Sequence, residues 1–258
     1  MKKYVDINAD IGESFGAYKL GFDEEIIKNI SSANIATGFH AGDPNWMKKT
    51  IDLSLENQVA IGAHPSYPDL NGFGRRDMNL SPLEIENIVK YQVGSIIGFV
   101  GIDKLQHVKP HGALYNNAVK NKSIALAIIK SINSISSELI HVVLAGSLWE
   151  ELADEANVKY VRETFADREF MSDGTLAPRS LKGSVIENID LIIDRTLKMI
   201  NNGKVKSLYG DEIEIKFDSI CVHGDTKGSV EISKKIHDTL KTNDIEIKSM
   251  SKILNAKL

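Results

Sequence analysis

The sequence predicts an α/β protein folded as a single (β/α) barrel domain over residues 1–258. Three observations carry that reading. Short apolar strand segments alternate with amphipathic helical segments along the chain. Seven such strands fit into 258 residues with no linker, composition break or low-complexity tract to divide them. Polar and ionisable residues gather at the carboxyl ends of those strands, where parallel α/β sheets carry their sites. An open doubly wound sheet is the alternative arrangement of the same elements.

The first strand is YVDINAD (4–10), followed by a helical stretch near 22–30 and a second strand, ANIATGF (33–39). Asp43 and Pro44 then open a helix as N-cap and first helical residue. The third strand, VAIGAH (59–64), runs into a loop rich in Gly, Pro, Asp and Arg. The clearest helix follows at 81–101. Ser81 and Glu84 make a capping box around Pro82, and Ile85, Ile88, Val89, Val93, Ile96 and Ile97 form one apolar stripe. The fourth to seventh strands are LQHVKPH (105–111), HVVLAG (141–146), KYVRETF (159–165) and SICVHG (219–224). Helices are expected near 122–135, 147–156, 183–202 and 227–240, and IEIKSM (245–250) reads as an edge strand.

The totals exclude several classes. The 42% hydrophobic and 26% charged fractions are those of an ordinary globular chain. A net charge of −4 gives no footprint for nucleic acid or an anionic membrane, so neither is an expected partner. The one cysteine, Cys221, excludes an internal disulfide or CxxC metal site and is expected in the core. MKKYVDINAD lacks the apolar stretch of a signal peptide, and no run nears the roughly 18 apolar residues of a spanning helix. A cytoplasmic location is the expectation.

The strand ends carry the chemistry. The first ends in Asn8, Asp10 and Glu13; the second in His40 and Asp43; the third in His64; the fourth in Lys109 and His111. The sixth ends in Glu163, Asp167 and Arg168, and the seventh in His223 and Asp225. Four of the 7 histidines thus occupy equivalent places beside carboxylates. A lone histidine there is commonly a satisfied turn residue; four together point to a shared site. Imidazoles with a carboxylate suit a divalent metal ion, and without metal the same groups serve as general acid and base. Asp10, His64 and His111 are the candidate metal set, with His40 as a fourth. In NGFGRR, Arg75 and Arg76 offer planar forks for a carboxylate or phosphate, unless the loop is a flexible surface segment. The polar segment 166–180 has a similar character. No GxxxxGK[ST], GxGxxG or GxSxG motif is present, so the chain shows no phosphate loop, dinucleotide site or serine elbow.

DINADIGESFG, NIATGFHAGDP, GAHPSYPDLNGFGRR, VKPHGALYN, ETFADREFMSDGTLAPR and CVHGD, taken in order, resemble the motifs of the LamB/YcsF family from about residue 4 to 230. The resemblance implies a distorted, seven-stranded (β/α) barrel similar to the glycoside hydrolase and polysaccharide deacetylase barrels. It implies opening of 5-oxo-L-proline to L-glutamate coupled to ATP hydrolysis, in a 5-oxoprolinase whose subunits B and C supply the ATP-dependent activation. Asp10, His40, His64, His111 and His223 fall in its motif blocks. By analogy with the deacetylases, Asp10, His64 and His111 would be the metal ligands. Thr37 departs from the pattern, standing where a cysteine is expected, so no mechanism for this chain needs a thiol there.

A lactam is a poor electrophile until its oxygen is phosphorylated; the site must then supply a base and donors for developing charge. The expected catalytic residues are Asp10 with His40 or His64 on the water, and Lys109 and His111 on the oxygen charge. Asn8, Glu13, Arg75, Arg76 and His223 are expected around the substrate. ATP is expected through the complex, and a divalent metal is the second cofactor candidate. The rival readings are a metal-dependent carbohydrate N-deacetylase and a non-catalytic regulatory subunit.

Overall fold

The computed structural model of the chain describes residues 3–222 and 228–256. Seven parallel strands close into a ring: β1 (Lys3–Ile11), β2 (Ser32–Ala36), β3 (Ala60–His64), β4 (Leu105–Val108), β5 (Ile140–Leu144), β6 (Tyr160–Phe165) and β9 (Ser219–Val222). Closure is made by β1, which pairs with β2 through Asn8–Ile11 and with β9 through Asp6–Ala9. The open doubly wound sheet is therefore not adopted. The remaining strands lie outside the ring. β7 (Lys204–Lys206) and β8 (Glu212–Glu214) form an antiparallel hairpin, and β10 (Ile245–Ile247) runs parallel to the first residues of β1.

The helices are α1 (Asp23–Ile26), α2 (Pro44–Glu56), α3 (Pro82–Val100), α4 (Gly112–Ala118), α5 (Lys122–Ile135), α6 (Leu148–Glu155), α7 (Ile189–Asn202), α8 (Ser229–Thr242) and α9 (Met250–Asn255). Their starts follow side-chain chemistry. The Asp43 carboxylate accepts the backbone N–H groups of Asn45 and Trp46 at 2.8 and 3.0 Å. Ser81 and Glu84 exchange both bonds of the capping box. Two expected elements are corrected. The helix predicted at 183–202 begins at Ile189, because Asn188 caps Leu191 while Ile186 spends its N–H on the Asp167 carbonyl. The edge strand stops at Ile247 and α9 begins at Met250. α4 and the β7–β8 hairpin had no counterpart in the sequence reading. No helix among the described residues is long and apolar enough to cross a membrane.

Alternation along the strands sorts two chemistries to two faces. Val5, Ile7, Ala9 and Ile11 of β1 belong to the main apolar core with Ile35, Ile61, Ile85, Val93, Ile128 and Trp149. Asp6, Asn8 and Asp10 point into the barrel, where they bond across it. Ser32 and Ser219 donate to Asp6, Asn8 donates to Glu163 at 2.9 Å, and Asn34 donates to Asn8 and Asp10 at 2.7 and 2.8 Å. Where the strands begin, the lumen is closed by Ile140, Val142 and Val161 with Met250 of α9. The interior is thus polar from its middle to its mouth.

Gly62 makes the middle layer possible. A Cβ there would lie 2.0 Å from Nε2 of His107, whose ring donates to Asn34 at 2.8 Å. Burial holds His107 down to about 3, so the ring is a neutral donor. Gly62→Ala should lower stability by about 1–3 kcal/mol through overpacking. Gly94→Ala, in open space on α3, should raise it by roughly 0.5–1 kcal/mol. Urea unfolding of the two variants checks both signs.

Candidate active site

The strand ends converge around one buried cation. Lys109 directly follows β4, and its side chain is 3% exposed. Its ammonium lies 3.0 Å from Asp10 Oδ1, 2.9 Å from Glu163 Oε1, 3.2 Å from Asn8 Oδ1 and 3.0 Å from Cys221 Sγ. Burial alone would lower the lysine pKa. The surrounding negative charge, Asp10 foremost, outweighs burial and holds it well above the ordinary range. Burial pushes the Cys221 thiol up, so Lys109 meets a protonated sulfur. Cys221 is buried as expected, but within this polar lumen.

Beside this cluster three imidazoles and a carboxylate pack together. His64, the last residue of β3, lies with Nδ1 2.6 Å from the Lys109 carbonyl and Nε2 3.4 Å from Asp10 Oδ2. His111 Nε2 lies 2.9 Å from the Phe73 carbonyl. A carbonyl oxygen only accepts, so both of those nitrogens carry the proton and both tautomers are assigned. In neutral rings the remaining nitrogens, His64 Nε2 and His111 Nδ1, are two lone pairs facing each other at 3.0 Å. His40 stacks on His111 with ring centroids 3.9 Å apart, and neither of its ring nitrogens has a hydrogen bond among the described residues. Its Nε2 lies 3.4 Å from Glu13 Oε1. Burial, reinforced by the neighbouring imidazoles, drives His40 and His111 well below the ordinary histidine range. One ligand atom from each of Glu13, His40, His64 and His111 lies within 4.8 Å of the others. Facing lone pairs, an unsatisfied imidazole and a carboxylate are the donor set of a divalent cation, so these residues fit a metal ion.

The loop after β3 is bolted over this group. Asp69 accepts from the Gly72 N–H at 3.0 Å and pairs with the Arg76 guanidinium. Gln92 of α3 accepts from the Ser66 N–H at 2.9 Å, donates to the Ser66 carbonyl at 2.8 Å, and meets Thr37 Oγ1 at 2.9 Å. Phe73 adopts a left-handed φ of 54° and presents the carbonyl that fixes His111. Gly112 lets the next loop approach: a Cβ there would stand 2.4 Å from the Gly74 carbonyl. The site opens into a cavity of about 650 Å³ lined by Asp10, Glu13, His64, Arg75, Lys109 and His111, among others.

The family model described as LamB/YcsF matches residues 5–255. The chain belongs to the LamB/YcsF family. The A subunit of the 5-oxoprolinase of Alkaliphilus metalliredigens (strain QYMF) is 49% identical over 253 residues, covering 97% of this chain and 98% of that protein. A lactam utilization protein from Thermus thermophilus superimposes with a TM-score of 0.89 at 41% identity, covering 96% of this chain and 99% of that one. A peptidoglycan deacetylase from Bacillus subtilis shares the barrel alone, at a TM-score of 0.50 and 11% identity over 99% of this chain and 91% of that one.

Within this family member, the structure brings Asp10, Glu13, His40, His64, Lys109 and His111 together. The expected metal set of Asp10, His64 and His111 is altered: Glu13 and His40 stand with the two histidines, and Asp10 is not among the four, lying instead between His64 and Lys109. Asn8 is fully buried among Glu163, Ser219, Asn34 and Lys109, beneath the cavity rather than on its wall. Arg75 lines the cavity, whereas Arg76 is spent on Asp69. His223 lies outside the described residues. Glu163, noted in the sequence only as a strand end, is a direct partner of Lys109, and Asn34 and His107 were missed. The signal for them was the period-two polar series Asp6, Asn8, Asp10 and Ser32, Asn34.

Lys109→Met should destabilise the chain by about 3–5 kcal/mol, because it leaves two carboxylates facing a low-dielectric interior. Adding Glu163→Gln should recover at least about 1 kcal/mol of that loss. Denaturant unfolding of the single and double variants measures the coupling.

Proposed function

We propose that this chain is the A subunit of an ATP-hydrolysing 5-oxoprolinase. With subunits B and C it would cleave 5-oxo-L-proline to L-glutamate, coupled to hydrolysis of ATP to ADP and phosphate. The observation that carries the reading is Asp10, a carboxylate held between Lys109 and His64 at the mouth of a cavity large enough for a small lactam. The names borne by a relative of nearly half identity and by the superimposable lactam utilization protein support the substrate class. They do not favour the deacetylase reading. The lack of a phosphate loop agrees with ATP being bound by a partner subunit, and the cytoplasm is the compartment we assign.

In this proposal Asp10 takes the proton from water as its oxygen attacks the activated ring carbon. Lys109 fixes the Asp10 carboxylate, since its ammonium touches one oxygen while the other lies toward His64. His64 and His111 lie beside that attack position, with their outer nitrogens tied to backbone carbonyls. Their inward nitrogens orient the water; Asp10 then gives the proton it took to the ring nitrogen as the C–N bond breaks, and a second water releases phosphate from the acyl phosphate so formed. Arg75 attracts the anionic end of the substrate. A divalent ion held by Glu13, His40, His64 and His111 would supply Lewis acidity at the same place.

Asp10→Asn and His64→Ala should each lower ATP-dependent glutamate formation by roughly 100-fold or more in the reconstituted complex. Both variants should still unfold cooperatively. Wild-type turnover in both would overturn the assignment. Metal analysis gives a separate readout. After incubation with zinc or manganese and desalting, the wild-type chain should retain about one divalent ion. Chelation should lower its melting temperature, and His40→Ala should retain no ion. A wild-type chain that emerges metal-free would remove the metal from the proposal.

A further inference from the structure

The loop that leaves the first strand carries a surface the reaction above does not use. β1 ends at Ile11 on the mouth of the barrel, and Glu13 of the histidine group follows two residues later. Beyond Glu13 the chain turns outward. Phe15, Tyr18, Leu20 and Phe22 are all exposed, Tyr18 at 81%, which sets four large apolar side chains in water within eight residues. Trp46 of α2 stands beside them and shares a surface hollow with Leu20.

The loop is tied down at its tip and at its base. Phe15 and Tyr18 exchange both backbone bonds at 2.9 Å across a two-residue turn, which places their side chains on one face. The Gly16 N–H donates to Asp43 Oδ2 at 2.7 Å, and its carbonyl accepts from Trp46 Nε1 at 3.0 Å. Ser14 Oγ accepts from the Leu20 N–H at 2.9 Å and donates to the Leu20 carbonyl at 3.1 Å. Asp23 accepts from the Gly12 N–H at 2.9 Å.

The four side chains offer roughly 500 Å² of accessible surface, the size of the largest apolar patch on a typical monomer and one that marks an interaction site. A stable complex buries about 800 Å² on each partner, with aromatic residues at its centre and charge at its rim. The loop supplies such a centre, and Lys19 with the Lys49–Glu24 pair supplies a rim. Because the loop is already ordered by its own bonds, docking on it loses little conformational entropy.

We infer that residues 15–22 with Trp46 form the docking surface for the partner subunit that carries ATP. The occupant rests on the function proposed above. In that reaction the phosphoryl group starts on a nucleotide held by the partner and ends on a lactam in this cavity, so the partner must seat at this mouth. A second copy of the chain on the same loop would stand in that approach. A seated partner also keeps bulk water from the activated lactam.

The test is biolayer interferometry between the chain and purified B and C subunits, without substrate or nucleotide, so that it reads contact and not turnover. Tyr18→Ser combined with Phe22→Ser should weaken binding at least about thirtyfold. Tyr209→Ser, at a residue 66% exposed in the β7–β8 turn, should leave it unchanged. Neither variant touches the catalytic groups, and both should melt like the wild-type chain. In the glutamate assay the loop variant should need at least about thirtyfold more B and C for half-maximal rate, with the saturated rate unchanged. Wild-type affinity in the loop variant overturns the surface. A chain that alone sediments as a dimer, and as a monomer in the loop variant, overturns it equally, because a second copy then covers the loop. Glutamate formation with the same dependence on B and C in wild type and loop variant removes the surface and leaves the 5-oxoprolinase reading standing. A wild-type chain that neither binds B and C nor forms glutamate with them removes that reading, and the occupant with it.

Discussion

A lysine ammonium inside a protein is tolerated only where its charge is matched and its protons are placed. Lys109 meets that requirement by drawing Asp10 from β1, Glu163 from β6, Asn8 from β1 and Cys221 from β9 to one point. Much else follows. Asn8 must face inward, so Asp6 and Asp10 do too, and the outer face of β1 is left to Val5, Ile7, Ala9 and Ile11. A lumen this polar has to be satisfied down its length, which Asn34, His107, Ser32 and Ser219 accomplish. The interior that fills this barrel is therefore a hydrogen-bonded network anchored by one charge, with an apolar plug only where the strands begin.

The histidines are ordered by a different means. Main-chain carbonyls, not carboxylates, accept the protons of His64 and His111. That arrangement makes ring orientation a property of the backbone, and the backbone is in turn held by Gln92, by Asp69 with Arg76, and by the close approach of Gly112 to Gly74. The left-handed φ at Phe73 is the local strain that delivers one of those carbonyls. Arg76, adjacent to a cavity-lining arginine, acts here as a structural strut.

The barrel was legible because each central strand is a short apolar run ended by a turn signal and followed by a helical stripe. The site was legible at His40, His64, Lys109 and His111 because they sit at strand ends, where topology brings them together whatever the intervening length. What lay deeper was not legible. Glu163 reads only as a strand end, and Cys221 only as a core residue, until the ring closes and sets both against Lys109, and His107 needs knowledge that Gly62 is opposite it. The β7–β8 hairpin has three-residue strands, too short to show a period, and α4 spans seven residues directly after a site histidine. Residues 183–188 share the apolar spacing of α7, yet a tertiary bond from Ile186 to Asp167 competes for the backbone.

β1 lies between elements at opposite ends of the chain. Its residues pair with Ser32–Ile35, with Ser219–Val222 and with Ile245–Ile247. During synthesis the first strand therefore emerges long before two of its three neighbours exist, and Asp6 must wait for Ser219. No chain that stops short of β9 can close the ring, and none can surround Lys109 with all of these partners. Assembly of the buried charge and closure of the sheet are thus one late event, dominated by contacts of long sequence separation. Until that event the nascent chain exposes an unpaired strand edge at its own beginning, which makes β1 the segment most in need of protection while the rest is being made.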